Sequence, residues 1–256
     1  MTARQHVPSR TGPRRVVLAC PPWLAGDAAF AVDAAARAAG WPCTHDDAGN
    51  TRWRSPDGRA RLGYVPEPPR GDPYRRPAAQ EGTADHVRGI WTVRARLHEA
   101  AAWSGWFNDG CLVPSGEHVP QEMVAAVLES LAVPGRTEPD ALADPGNPET
   151  VWQLLREAAW HIDHFYDDTR VARSPDATAA LECDTPEAGW RLRVRRAPTA
   201  GRVLWKARFT PSTPAFVIAA VMRAMTAPGL PRCIGDLPAW ASVRPYIAAP
   251  APRSRR

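Results

Sequence analysis

The chain repeats itself, and that repetition limits its possible folds more than any other feature. Displacing the sequence by 119 positions lays Ala39-Gly40-Trp41 on Ala158-Ala159-Trp160, His45 on His164, Arg54 on Arg173, and Ser55-Pro56-Asp57 on Ser174-Pro175-Asp176, without a gap. Leu62 then falls on Leu181. Beyond this the loop lengths differ but the order holds. Trp91 to Arg96 matches Trp190 to Arg195, Trp103 to Phe107 matches Trp205 to Phe209, and Pro120 to Leu128 matches Pro214 to Met222. Five blocks in one order make duplication the economical account.

Each copy has a physical reading. The first helix is expected from about Ala28 to Ala39, with Asp27 as its N-cap and Gly40 just past its end. Its counterpart starts at Asn147-Pro148, a cap followed by proline at the first helical position, and ends before Trp160. Strands follow, divided by the Ser-Pro-Asp turns, where proline presets φ and aspartate closes an Asx-type turn. Period-two alternation predicts strands over Arg59 to Val65, Trp91 to Leu97, Ala102 to Phe107, Trp190 to Arg195 and Val203 to Phe209. The last two turn through Ala197 to Gly201. A closing helix begins at Pro120 or Pro214, each in its first turn. It carries Val124, Val127, Leu128 and Leu131, or Val217, Val221, Met222 and Met225, on one face.

The expected fold class is α+β: two tandem repeats, each helix, antiparallel strands, helix, related by pseudo-twofold symmetry. Whether the two sheets lie side by side or face to face is open at this point. The expected boundaries are a basic flexible tail at 1–15, a first repeat at 16–134 with a mobile Pro-, Arg- and Gly-rich loop at 66–89, a second repeat at 135–230, and a Pro- and Arg-rich tail at 231–256. Trp91, Val93, Ala95, Leu97, Trp103 and Phe107 would pack beneath the helices. The recurring pairs Trp41/Trp160, Trp91/Trp190 and Trp103/Trp205 therefore read as core. Trp106 alternates outward and matches Arg208, while Trp23, Trp53 and Trp240 have no place in the pattern.

Charge bears on partners. Arg4, Arg10, Arg14 and Arg15 at one end, and Arg244, Arg253, Arg255 and Arg256 at the other, carry no neighbouring acid. The formal charge of +5 therefore belongs to the tails, and the body between them is net negative. Lys206 is the only lysine; with abundant alanine and proline this suggests a high-GC, actinobacterial source. No apolar run is long enough for a membrane span, and none follows the basic N-terminus as a secretory signal would require, so a cytoplasmic protein with no membrane partner is expected. The five cysteines form no C-x-x-C pair and read as scattered core residues.

The outward strand positions are the main candidate surface: Arg59, Arg61, Arg94, Arg96, Trp106, Arg191, Arg193, Arg195, Lys206 and Arg208. Arginines with an aromatic on a sheet suit a phosphate backbone, because guanidinium binds phosphate bidentately and releases counterions. The plain alternative is a solvated face whose arginines pair with Glu182 and Asp184 across strands. A second candidate is His161, Asp163, His164, Asp167 and Asp168, echoed by His45, Asp46 and Asp47, which could bind metal or move protons. On a strand, however, His161 and Asp163 share a face that His164 does not. No Walker A, G-x-S-x-G, G-x-G-x-x-G or H-E-x-x-H motif occurs.

The reading is a non-enzymatic macromolecule-binding protein with no cofactor or metal. Its partner is nucleic acid, possible DNA above all, or an acidic protein. The rivals are a protein-protein adaptor using the surface between the repeats, and an enzyme with a His/Asp site.

The Ala-Gly-Trp block, the Ser-Pro-Asp turn followed by Arg-Leu-Gly-Tyr, and the Trp-x-x-x-Phe block leading to proline and an Ala-Ala helix resemble the actinobacterial, largely streptomycete, SPDY-domain family. The resemblance covers most of residues 16 to 230, in two copies. It implies the fold and no established activity. Gly58 and Ala177 stand where the family motif has tyrosine.

Overall fold

The alternating segments close into one broad sheet. The computed structural model describes residues 16–17, 31–66, 90–97, 100–109, 119–165, 169–183, 189–195, 203–227 and 232–233. In chain order these form β1 (Val16–Val17), α1 (Ala31–Ala38), β2 (Cys43–His45), β3 (Thr51–Arg54), β4 (Ala60–Val65), β5 (Ile90–Leu97), β6 (Ala100–Asp109) and α2 (Gln121–Ala132). There follow α3 (Pro139–Ala143), α4 (Glu149–Glu157), β7 (His161–His164), β8 (Arg170–Arg173), β9 (Ala179–Cys183), β10 (Trp190–Arg195), β11 (Val203–Phe209), α5 (Ala215–Thr226) and β12 (Arg232–Cys233). β1 pairs with β12; the other ten strands make a single antiparallel sheet in the order β2-β3-β4-β5-β6-β11-β10-β9-β8-β7. Helices with an antiparallel sheet place the chain in the α+β class. The side-by-side arrangement holds: β6 and β11 are hydrogen-bonded neighbours at the centre.

The join between β6 and β11 depends on a missing side chain. Gly105 lies opposite Phe209, and a Cβ at Gly105 would come within 2.3 Å of the Phe209 ring. The bare backbone leaves room for that ring, which meets Phe107 edge to face at 5.5 Å between centroids.

One sheet face carries the core. Trp91, Val93, Ala95, Trp103 and Phe107 are buried there, as are Trp41, Trp160, Trp190 and Trp205. Trp53, unplaced by the sequence pattern, is also buried, stacked on Trp91 at 5.7 Å. Trp152 of α4 is buried against Trp190 at 5.4 Å. α1, α2, α5 and α4 pack as successive neighbours, so α2 and α5 are flanked on both sides. Accordingly α5 buries Ala215, Ile218 and Ala219 in addition to Val217, Val221, Met222 and Met225.

Several expectations need correction. Pro120 and Pro214 are not the first helical residues but the caps before them, with ψ of 123° and 137°. An extended ψ there turns the chain from the preceding loop into the helix, while the fixed φ of proline fits either position. Cys43, expected in the core, lies exposed on strand β2, whereas Cys183 is partly buried and packs against the core. By contrast Asn147 caps α4 as expected: its Oδ1 accepts the Glu149 amide at 2.9 Å, and Pro148 already has helical angles. Described helix α1 begins at Ala31; Arg232–Cys233, expected in the C-terminal tail, instead forms β12, while the Asp27 cap, residues 67–89, the 197–201 turn, residues 1–15 and 234–256, Trp23, Trp240 and the Leu97 side chain lie outside the described residues.

The Ser-Pro-Asp corners fix the register of the strands they join. Ser55 Oγ donates to Asp57 at 2.5 Å and accepts the Ala60 amide at 2.8 Å, while the Ser55 amide donates to the Ala60 carbonyl at 2.9 Å. At the other corner Ser174 Oγ donates to Asp176 at 2.6 Å and accepts the Ala179 amide at 2.9 Å. Both serines are buried. Each corner turns through a left-handed residue, Gly58 at φ 73° and Ala177 at φ 55°. The first corner thereby sets Arg54 opposite Arg61.

Candidate functional site

The face of the sheet away from the helices is where the charged side chains stand. Arg59, Arg61, Arg94, Arg96 and Arg208 are exposed; Arg191, Arg193, Arg195, Lys206 and Trp106 are partly exposed. Alternation places nine of them on this face, opposite the buried Leu62, Val93, Ala95, Leu192, Val194 and Ala207; Arg59 precedes β4, and its Nη1 donates instead to the Thr137 carbonyl between α2 and α3, at 3.4 Å. What alternation could not supply is how they pair, and there the two halves of the sheet differ.

In the second half acids pair with Arg173, Arg191 and Arg193, though not with Arg195 or Arg208, among the described residues. Glu182 reaches Arg193 at 3.0 Å and Arg191 at 3.9 Å. Asp163 pairs with Arg173, and His161 Nε2 lies 2.9 Å from the same carboxylate. Burial opposes the charge of Asp163, but the Arg173 hydrogen bond and charge outweigh it and hold its carboxyl below the usual range. Arg170 contacts Glu149 at 2.7 Å, and its guanidinium lies 5.9 Å from the centroid of the Trp152 ring.

The first half departs from this. Register sets Arg54, Arg61 and Arg94 in one row across β3, β4 and β5. Arg52 and Arg96 flank it. Among the described residues no carboxylate comes within ion-pair distance of Arg54, Arg61, Arg94 or Arg96, and Arg52 meets only Asp46, at 3.8 Å on the rim. Burial first, and then the guanidiniums of Arg54, Arg96 and Arg52, hold Arg61 below the ordinary arginine value. In the second half the corresponding row is Arg173, Ala180, Arg193: an alanine stands in the middle. Glu182 lies beside Arg191, whereas in the first half Gly63 lies beside Thr92.

Gly63 matters for shape as well as charge. With no side chain there, β4 leaves a trough of about 670 Å³ bounded by Arg52, Arg54, Arg61, Thr92, Arg94 and Arg96. A Cβ on Gly63 would crowd Thr92 Oγ1 at 2.9 Å. Gly58 gives room in the same way to Arg54, whose Nη2 would stand 2.5 Å from an added Cβ. Toward the centre, Trp106 faces Thr92 on one side and Arg208 on the other, with Lys206 Nζ 5.6 Å from its ring centroid.

Sequence reasoning missed Arg52 and Arg54. Their signal was the alternation in Thr51-Arg52-Trp53-Arg54, too short to stand out until Trp53 proved to be core. It also missed Trp152, which has no aromatic counterpart at the shifted position, Asp33.

Among the described residues no three His, Cys, Asp or Glu come together as a metal shell; the candidates Asp167 and Asp168 lie outside those residues. His45 Nδ1 bonds Thr51 Oγ1 at 3.0 Å. His164 lines a cavity of about 950 Å³ with Trp152, Phe165 and Cys183, and among the described residues no carboxylate hydrogen-bonds its ring. Burial raises the Cys183 thiol pKa, against a thiolate there.

No helix among the described residues is long and apolar enough to cross a membrane. No curated protein and no solved structure matches the chain. Residues 173–230, from the end of β8 beyond α5, match in one copy the SPDY family, a domain of unknown function (DUF317).

Proposed function

We propose that the protein is a non-enzymatic binder of nucleic acid, engaging the phosphate backbone through the arginine face of β3, β4 and β5. The observation that carries this reading is the row Arg54, Arg61, Arg94 with no acid partner among the described residues. Like charges placed opposite one another on a sheet destabilise it. A polyanion removes that repulsion. Lys206 and Arg208 extend the positive surface past Trp106, and the basic tails add further positive charge.

On this reading the chain is two copies of one unit that have diverged in task. Three features support the duplication: the strand order reads as two five-strand series meeting at β6 and β11, the corners share their hydrogen bonds, and left-handed Gly40 and Gly58 correspond to left-handed Ala159 and Ala177. The first unit binds; the second, with Glu182 and Asp163 satisfying its own arginines, supports the fold. We place the protein in the cytoplasm, in keeping with the reduced thiols of Cys43 and Cys183.

Electrophoretic shifts at graded salt test the proposal. About five phosphate contacts give a slope of log K against log salt near −3.5 to −4.5. Arg61→Glu with Arg94→Glu is expected to abolish binding, while Arg191→Glu with Arg193→Glu leaves most of it. Equal losses from both pairs, or no binding at low salt, would refute it.

A further inference from the structure

The trough and the indole beside it narrow the ligand further, on the premise that the arginine face binds nucleic acid. We propose that the ligand is a single strand, DNA or RNA, with an unstacked base lying in the trough against Trp106 and its phosphates on the arginine row. The register defines the site. From Trp106 the side chains shorten across the sheet to Thr92 and then Gly63, and rise again at Arg52. Three strand spacings of about 4.8 Å make that passage roughly 14 Å wide, enough for one nucleotide lying flat. The row Arg54, Arg61, Arg94 runs alongside, two residues further along each strand, or about 7 Å away. Base and phosphate of one nucleotide thus meet different rows.

A duplex has no free base face to offer, so it would use the arginines and leave the trough and indole idle. A single strand uses both, because every base has a π-face that stacks on an aromatic ring while the backbone follows the positive groove. Trp106 is suited to this. It is partly exposed on the face where Trp91, Trp103 and Trp53 are not, and a cation already lies near its ring.

Fluorescence anisotropy with the full chain tests the proposal, using labelled oligo-dT, oligo-rU, a hairpin duplex of matched length, and linear polyphosphate, which has charge but no bases. Single strands are expected to bind about tenfold or more tighter than the hairpin. Trp106→Ala should weaken strand binding about tenfold, within the range for one stacked base, and leave polyphosphate within about twofold; Trp106→Phe should restore most of the loss. Gly63→Val, which fills the trough without touching the indole, should act like Trp106→Ala and guards against a folding defect in that variant. A preference between dT and rU names the sugar. Equal or tighter hairpin binding, or strand binding indifferent to both Trp106→Ala and Gly63→Val, overturns the single-strand assignment while the phosphate reading stands. If Arg61→Glu changes binding of none of the four probes, the phosphate reading fails as well.

Discussion

Ala177 carries φ 55° and Ala159 φ 59°, a region that costs an L-residue with a Cβ about 1 kcal/mol or more. Gly58 and Gly40 take the same turns in the first half without that cost. Ala177→Gly is therefore expected to stabilise the protein by about 1 kcal/mol, read as a higher urea midpoint with an unchanged m-value. A loss of stability would mean that the Ala177 methyl makes contacts worth more than the strain. Arg61 presents the opposite balance. Surrounded by Arg54, Arg94, Arg96 and Arg52, it opposes folding of the free protein. Arg61→Ala should raise Tm by about 2 °C at low salt, and the gain should vanish at high salt, where the repulsion is screened. A residue that weakens the free protein yet is needed for binding would separate the two roles cleanly.

At the scale of elements, the β6–β11 join and the Ser-Pro-Asp corners decide the architecture. Gly105→Val would drive a side chain into the Phe209 ring and is expected to cost about 3 kcal/mol, with part recovered when Phe209→Ala is added. The first corner has a pH signature. Burial opposes ionisation of Asp57, but hydrogen bonds from Ser55, Thr137 and the Arg59 amide outweigh it, so its folded pKa lies below normal. Its stabilisation is complete above the unfolded value near 3.9 and lost as pH falls through the lower folded one. Asp57→Asn should thus lower Tm at neutral pH and flatten the acid limb of the Tm profile. Strands β4, β5, β6, β10 and β11 were legible because period two shows in any six residues, and six core tryptophans because they recur; β2, β3, β7, β8 and β9, at three to five residues, were too short, and Trp53 and Trp152 do not recur. The join was not, since pairing between Trp106 and Arg208 leaves no local period in either strand. The charge imbalance was hidden for a similar reason: Glu182 and Gly63 look unremarkable until register sets one beside Arg191 and the other beside Thr92.

For the whole molecule, a ligand that binds only the folded chain adds to its stability. At a hundred times its Kd, an oligonucleotide should contribute about 2.7 kcal/mol, raising the Tm of the wild type but not of Arg61→Glu. The ten-stranded width of the sheet also restricts the shape of that ligand. Each antiparallel neighbour is rotated by roughly 20–25° from the last, always in one sense. From β3, which carries Arg54, to β10, which carries Arg193, there are five such steps, or more than about 100° of accumulated rotation. A sheet with that rotation is a propeller blade rather than a plane, and a straight, stiff rod touching one end leaves the other. Only a pliant chain could follow it from Arg54 past Trp106 to Arg208.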